Sequence, residues 1–262
     1  MLCKLRWYHV HHVLIQDVIF FGEDFMDQAF EDYLKQFDLN NFHIKRKHIH
    51  TYRVADNCLK IARALHLSED DMELAYQIGI LHDIGRFHQL AETGSYDDAT
   101  LDHADYGAKL LFEDGLIASF PVKKENYKVV EVAVKYHNKF AVESNLEERT
   151  EFFCKLIRDA DKIDILELSC EGIIKFYMDG PVKPNILAQV QSHSQVRING
   201  ARTNTDNVFI QIGFFYDIYF KPSVDILFER KIIDRLKDKV NDKIVCQELD
   251  RVQRYLKERF TC

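Results

Sequence analysis

The segment Ile78-Gly-Ile-Leu-His-Asp-Ile-Gly85 carries no polar side chain except His82 and Asp83. It closes a helix-periodic stretch whose inward face is marked by Leu74, Ala75, Ile78 and Leu81, and His82 falls four residues after Ile78, on that face. The same anomaly recurs along the chain. His50 stands one turn before the stripe Val54, Cys58, Ile61, Leu65; His103 leads Gly107, Leu110 and Leu111; His137 closes Val130, Ala133 and Val134. Asp161 lies four residues from both Ile157 and Ile165. A fold that buries these stripes also buries imidazoles and carboxylates. An unpartnered buried carboxylate is costly, and two close together repel. The nearby cations Arg63 and Lys109 fall on polar faces, so the partner that satisfies every group at once is a divalent metal ion. Imidazole and carboxylate ligands are compatible with Mn, Fe, Mg, Co, Ni or Zn.

The rest of the pattern is helical. Four prolines and ten glycines in 262 residues leave long uninterrupted segments with a 3.6-residue apolar period, which predicts an all-α, single-domain fold. Helices are expected at about 26–37, 48–66, 70–86, 102–113, 123–138, 149–168, 206–218, 221–235 and 243–259. Ser68 is placed to cap the helix that carries His82. The stretch Gly172 to Asn207 holds two of the prolines and a polar run, and reads as an irregular insert covering the site. Residues 1–25 read as an N-terminal extension to a domain at 26–262. Met26 also stands where such a domain could start, so a misplaced start codon and a genuine packing segment are both open readings.

The net charge of -7 argues against a general nucleic-acid or anionic-membrane binder, while leaving room for a local basic pocket. Six scattered cysteines without a C-x-x-C pair read as small buried hydrophobes in a reducing compartment. No run reaches the roughly 18 apolar residues of a membrane span, and the apolar Trp7 to Gly22 segment lacks the cleavage signature of a signal peptide. The expected location is cytoplasmic.

The ordered set His50, His82-Asp83, Asp161 resembles the HD superfamily of metal-dependent phosphohydrolases, and so do the words around it: His50-Thr-Tyr-Arg-Val, Leu81-His-Asp-Ile-Gly-Arg86 and Arg158-Asp-Ala-Asp-Lys-Ile-Asp164. The Gly-Arg-Phe step, Asp102-His-Ala-x-x-Gly107 and His137-Asn-Lys139 are similar to a bacterial branch of HD domain-containing proteins, over about residues 27 to 240. The resemblance implies a helical HD fold with the metal site in the bundle core. It further implies one ion on His50, His82, Asp83 and Asp161. Because His103 and His137 match the extra positions of dinuclear members, a second ion is implied on His103, His137 and a bridging Asp83, completed by Asp161 or water. Asn138 stands where some members have another histidine, which argues against a third.

The activity implied is phosphomonoester or phosphodiester hydrolysis of a nucleotide or other small phosphate ester by a hydroxide made available by the metals, with Asp83, Arg86 and Lys162 as catalytic residues. Arg86, one turn after the His-Asp pair, offers a fork of donors to a phosphate oxygen; Arg53, Lys162 and Asn138 are the other substrate-binding candidates. Asp102 could orient His103 or cap a helix. Two alternatives stay open: a di-iron oxygenase on the same scaffold, and a non-catalytic nucleotide-binding module. His43, His48, His66, His193 and the His9-His11-His12 cluster read as surface or supporting residues, and His88 is unassigned.

Overall fold

The computed structural model describes residues 21–98, 101–198 and 202–260, and these are helical with no strand among them. Residues 1–20, including His9, His11 and His12, lie outside the described residues. Helix α1 (Phe21–Leu34) runs across the boundary expected at residue 26 and buries Met26 and Phe30. Helix α2 (Phe42–Ala64) begins earlier than expected because the Asn41 side chain caps it, accepting from the His43 and Ile44 amides.

The next element departs from expectation in a way that builds the site. The helix expected at 70–86 is two helices, α3 (Glu69–Leu81, with Ser68 as its cap) and α4 (Ile84–Thr93). The break falls on His82-Asp83, where Asp83 leaves helical geometry at φ -104, ψ 17. Neighbouring residues on a continuous helix point about 100° apart. Interrupting the helix between them lets His82 and Asp83 face the same interior point, and both are buried.

Helix α5 (His103–Ala108) is capped by Asp102, which accepts from the Ala104 and Asp105 amides, and continues into a π turn over Lys109–Glu113. Helix α6 (Tyr127–Tyr136) is entered by a 3-10 turn at Lys124–Asn126 and ends at His137. Helix α7 (Glu148–Glu171) crosses the middle of the molecule, packs against α2, α3 and α6, and stops at Gly172 in the left-handed region (φ 81).

The expected irregular insert contains a helix, α8 (Pro184–Gln191). Pro184 is a breaker inside a helix but a favourable first residue, which is the place it takes. After α9 (Asn204–Phe214), the helix expected at 221–235 is interrupted at Lys231 (φ 53), giving α10 (Lys221–Glu229) and α11 (Ile232–Val240). Helix α12 (Lys243–Phe260) closes the chain. The C-terminal helices brace the centre: Arg235 reaches Glu167 on α7 at 2.5 Å and Arg230 donates to Asn57 on α2 at 2.7 Å. One continuous apolar core runs from Met26 to Leu256.

Two glycines set how closely the site-bearing helices approach. A Cβ at Gly79 would lie 2.5 Å from the Ala55 Cα, joining α3 to α2. A Cβ at Gly85 would lie 2.3 Å from the His103 carbonyl oxygen and 2.5 Å from the Gly107 nitrogen, joining α4 to α5. Gly85→Ala must therefore push α5, and His103 with it, away from Asp83. It is expected to lower unfolding stability in urea by about 1–3 kcal/mol. Gly180→Ala, at a position with nothing within 4 Å of the added carbon, is expected to stay within about 0.5 kcal/mol of the parent.

Candidate metal centre

Four imidazoles, supplied by α2, the α3–α4 break, α5 and the end of α6, converge on the Asp83 carboxylate. The Nε2 atoms of His50 and His82 lie 3.5 and 3.4 Å from Asp83 Oδ2. Those of His103 and His137 lie 3.1 and 3.6 Å from Asp83 Oδ1. All five residues are buried. Asp161 Oδ1, from α7, stands 3.1 Å from His50 Nε2 and 4.0 Å from His82 Nε2.

The other nitrogen of each ring decides what this cluster can hold. His50 Nδ1 donates to Asp164 Oδ2 at 2.6 Å, and His103 Nδ1 donates to Asp98 Oδ1 at 2.7 Å. His82 and His137 donate to the carbonyls of Gly79 and Val134, each at 2.7 Å. Those acceptors carry no proton, so in a neutral ring the proton sits on Nδ1 and Nε2 presents a lone pair. Four such lone pairs then face one anionic carboxylate, and His103 Nε2 and His137 Nε2 are only 3.0 Å apart. Nε2 of His50 and of His82 is buried without a hydrogen-bond partner. This arrangement is repulsive unless cations stand between the groups, and it matches how metal-bound histidines are oriented through their distal nitrogen.

Two buried triads result, His50-His82-Asp83 and Asp83-His103-His137, whose ligand atoms lie within 4.8 Å of one another. They share Asp83 and fit a dinuclear metal site, with one carboxylate oxygen facing each position. Imidazole and carboxylate donors suit the divalent transition ions and do not discriminate strongly among them.

Charge around the cluster is tightly balanced. Burial raises the Asp83 carboxyl, but Lys47, His82, His103 and His137 outweigh it and hold it well below the usual carboxylate range. Burial also raises Asp161, and the His50 contact together with the neighbouring His82 and His137 more than reverses the effect. Burial and Lys47 push the His50 imidazolium down, yet the Asp161 carboxylate 3.1 Å from its Nε2 and the Asp164 carboxylate bonded to its Nδ1 leave its pKa raised. Burial lowers His103 too, and the bonds to Asp83 and Asp98 raise it on balance. For His137 burial, joined by the neighbouring His103 and His82, outweighs the pull of Asp83 and pushes it down to about 4.

Residues 48–166 match the HD domain family. The chain carries an HD domain. No curated protein and no solved structure matches the chain. The matched span is narrower than the 27–240 suggested by motif words, and it contains His50, His82, Asp83, His103, His137 and Asp161.

A cavity of about 190 Å3 opens onto the HD cluster, lined by Lys47, Arg86, Asn138 and Lys162 among others. Gln195, from the segment after α8, and Phe214, at the end of α9, also line it, so the insert does reach over the site. Lys162 Nζ pairs with Asp217 Oδ2 at 2.6 Å, and the same carboxylate oxygen takes the fully buried Arg158 at 2.6 Å. Asp159 fixes the turn bearing Asp217 by accepting from the Tyr219 and Phe220 amides. Burial, then the neighbouring Arg158, lowers the Lys162 pKa against the pull of Asp217.

Arg53, one turn after His50, is not among the residues lining this cavity; its Nε lies 2.5 Å from Asp164 Oδ1 and its NH1 donates to both Glu171 oxygens at 3.0 Å. Its place is to steady Asp164, hence His50, and it does not contact the mouth. Asp102 serves as the α5 cap, while Asp98 orients His103. Asn138 donates to Asp102 Oδ1 at 3.2 Å. His88 packs against the Phe37 and Tyr106 rings, away from the cluster.

Sequence reasoning missed Lys47, Asp98 and Asp164. Lys47, three residues before His50 on the same helix face, pairs directly with Asp83 Oδ2. Its spacing was a usable signal. Asp164 sits three residues after Asp161 and was equally visible in retrospect, whereas Asp98 lies in a polar loop with no periodicity to mark it.

The raised pKa values of His50 and His103 have a consequence for metal binding. In the metal-free protein these rings hold protons more tightly folded than unfolded. The stability they contribute is present below about pH 6.5 and is lost as pH rises through their raised values. Ligation needs the deprotonated rings. Metal affinity is therefore expected to fall by about tenfold or more from pH 8 to pH 6, and chelation to lower the melting temperature more at pH 8 than at pH 6. Calorimetric titration and thermal melts at the two pH values measure both. Equal affinity at both would contradict the assignment of neutral imidazoles as ligands.

Proposed function

We propose that the protein is a metal-dependent phosphohydrolase, acting as a phosphomonoesterase or phosphodiesterase on a small phosphate ester or nucleotide. The observation that carries this reading is the shared Asp83, flanked by two histidine pairs, at the floor of a cavity with cations in its wall. Divalent ions bound there supply Lewis acidity toward phosphoryl oxygens and lower the pKa of water to near neutrality.

The chain's own residues supply the rest. Lys47 and Lys162 present ammonium donors at the cavity wall, where they can make charge-assisted hydrogen bonds to phosphate oxygens. Asp217 holds Lys162 Nζ at 2.6 Å, so the donor is positioned before substrate arrives. Asn138 adds a neutral amide for a phosphoryl or leaving-group oxygen. A volume of about 190 Å3 suits a phosphoryl group with a compact alcohol, and a bulkier nucleoside would extend toward the opening.

Asp83→Ala is expected to abolish metal uptake and turnover of phosphate esters while leaving far-UV helix content close to that of the parent. Lys162→Ala is expected to keep the metal and lose on the order of 10²-fold or more in kcat/KM. Elemental analysis with a metal-supplemented phosphate-ester screen checks both. Hydrolysis by metal-depleted Asp83→Ala at the parent rate would sink the proposal. Undiminished anaerobic turnover with Mn2+ separates it from the di-iron oxygenase reading, which requires O2.

A further inference from the structure

Arg86 faces the second triad differently from any cation near the first. Its NH2 lies 3.1 Å from His103 Nε2, the lone pair that a metal ion on Asp83 Oδ1, His103 and His137 would need. Its Nε lies 3.9 Å from Asp83 Oδ1, the carboxylate oxygen of the same triad. The guanidinium cannot easily leave. NH1 donates to Gln89 Oε1, to the Tyr96 carbonyl at 3.2 Å and to Asp98 Oδ1 at 3.0 Å, and NH2 also reaches Asp98 Oδ2 at 3.4 Å. With most of its donors engaged by the protein, Arg86 has little left of the fork expected for a phosphate clamp.

The first triad has no such competitor for its ring lone pairs. Nε2 of both His50 and His82 has no hydrogen-bond partner, and Asp161 adds a second carboxylate 3.1 Å from His50 Nε2. Lys47 does contact Asp83 Oδ2, but through a flexible four-carbon stem that can shift.

We propose that Arg86 makes the two metal positions unequal, holding the Asp83-His103-His137 position at lower affinity, so that an ion is retained there chiefly when a phosphate oxyanion occupies the cavity. An anchored hydrogen bond and positive charge oppose the second ion, and an oxyanion between that ion and the cavity lysines offsets the repulsion. Occupancy of the second position and phosphate binding then strengthen each other by the same factor, as linkage requires. The inference rests on the metal reading of the site, which fails separately if no ion binds at all.

The test is a Mn2+ titration of the metal-stripped full chain, by calorimetry and electron paramagnetic resonance, with and without inorganic phosphate. The parent protein is expected to take one ion tightly and a second more weakly by on the order of tenfold or more. Phosphate should tighten only the second step and bring up the spin-coupled signal of a Mn pair. Arg86→Gln is expected to tighten the second step by a similar factor without phosphate, leaving the first step unchanged. Two equal steps in the parent, a weak step that ignores phosphate, or an Arg86→Gln protein with the parent's titration would each overturn the inference. Should Arg86→Gln fail to fold by far-UV circular dichroism, the parent titration alone decides, since equal or phosphate-insensitive steps contradict the proposal without the variant.

Discussion

A single buried carboxylate, Asp83, organises this molecule. Each of its oxygens faces two imidazole nitrogens at 3.1 to 3.6 Å, and the opposite nitrogen of every ring is committed to an acceptor. Anions and lone pairs in that geometry repel in a low-dielectric interior, so the cluster is stable as built only around positive charge. Lys47 and Arg86 provide part of it and the two triads provide room for more. The HD match over 48–166 contains the six candidate ligands of this cluster, and the helices outside it pack against the matched helices as a frame.

The frame is shaped by the cluster's needs. Breaking the helix at Asp83 lets two adjacent residues aim at one point, and Gly85 against Gly107 brings His103 within reach of it. Support for the rings is unequal. His50 is held by Asp164, fully buried and itself steadied by Arg53, whereas His103 is held by Asp98, which is 36% exposed in a loop. The first triad is thus the more rigid, and the second depends on the loop before α5 and on Arg86. That difference in preorganisation points in the same direction as the unequal metal positions proposed above.

Much of the cluster was legible because imidazoles and carboxylates on apolar stripes contradict the pattern that makes a helix bury one face. His50, His82, His103, His137 and Asp161 announced themselves in that way, and the all-helical fold followed from the same periodicity. The less legible features depended on tertiary contact. Nothing local separates a continuous helix over 70–86 from one broken at Asp83, because His82 and Asp83 have ordinary propensities and no glycine or proline falls between them. The prolines and polar run of Gly172 to Asn207 read as irregular, yet Ile186 and Val190 pack into the core on a helix that starts at Pro184. Arg53 and Arg86 looked alike as cations one turn beyond a ligand, yet Arg53 turns to Asp164 and Glu171 while Arg86 turns into the cavity wall. Spacing alone cannot distinguish those directions.

The central claim is that Asp83 is a shared ligand with one oxygen for each of two metal positions. Anomalous diffraction from crystals of the full chain equilibrated with Mn2+ and phosphate tests it most directly. The account predicts two peaks, one beside Asp83 Oδ2 with His50, His82 and Asp161, the other beside Asp83 Oδ1 with His103 and His137. Density showing Asp83 bound to no ion, with manganese absent or held by other residues, would contradict it.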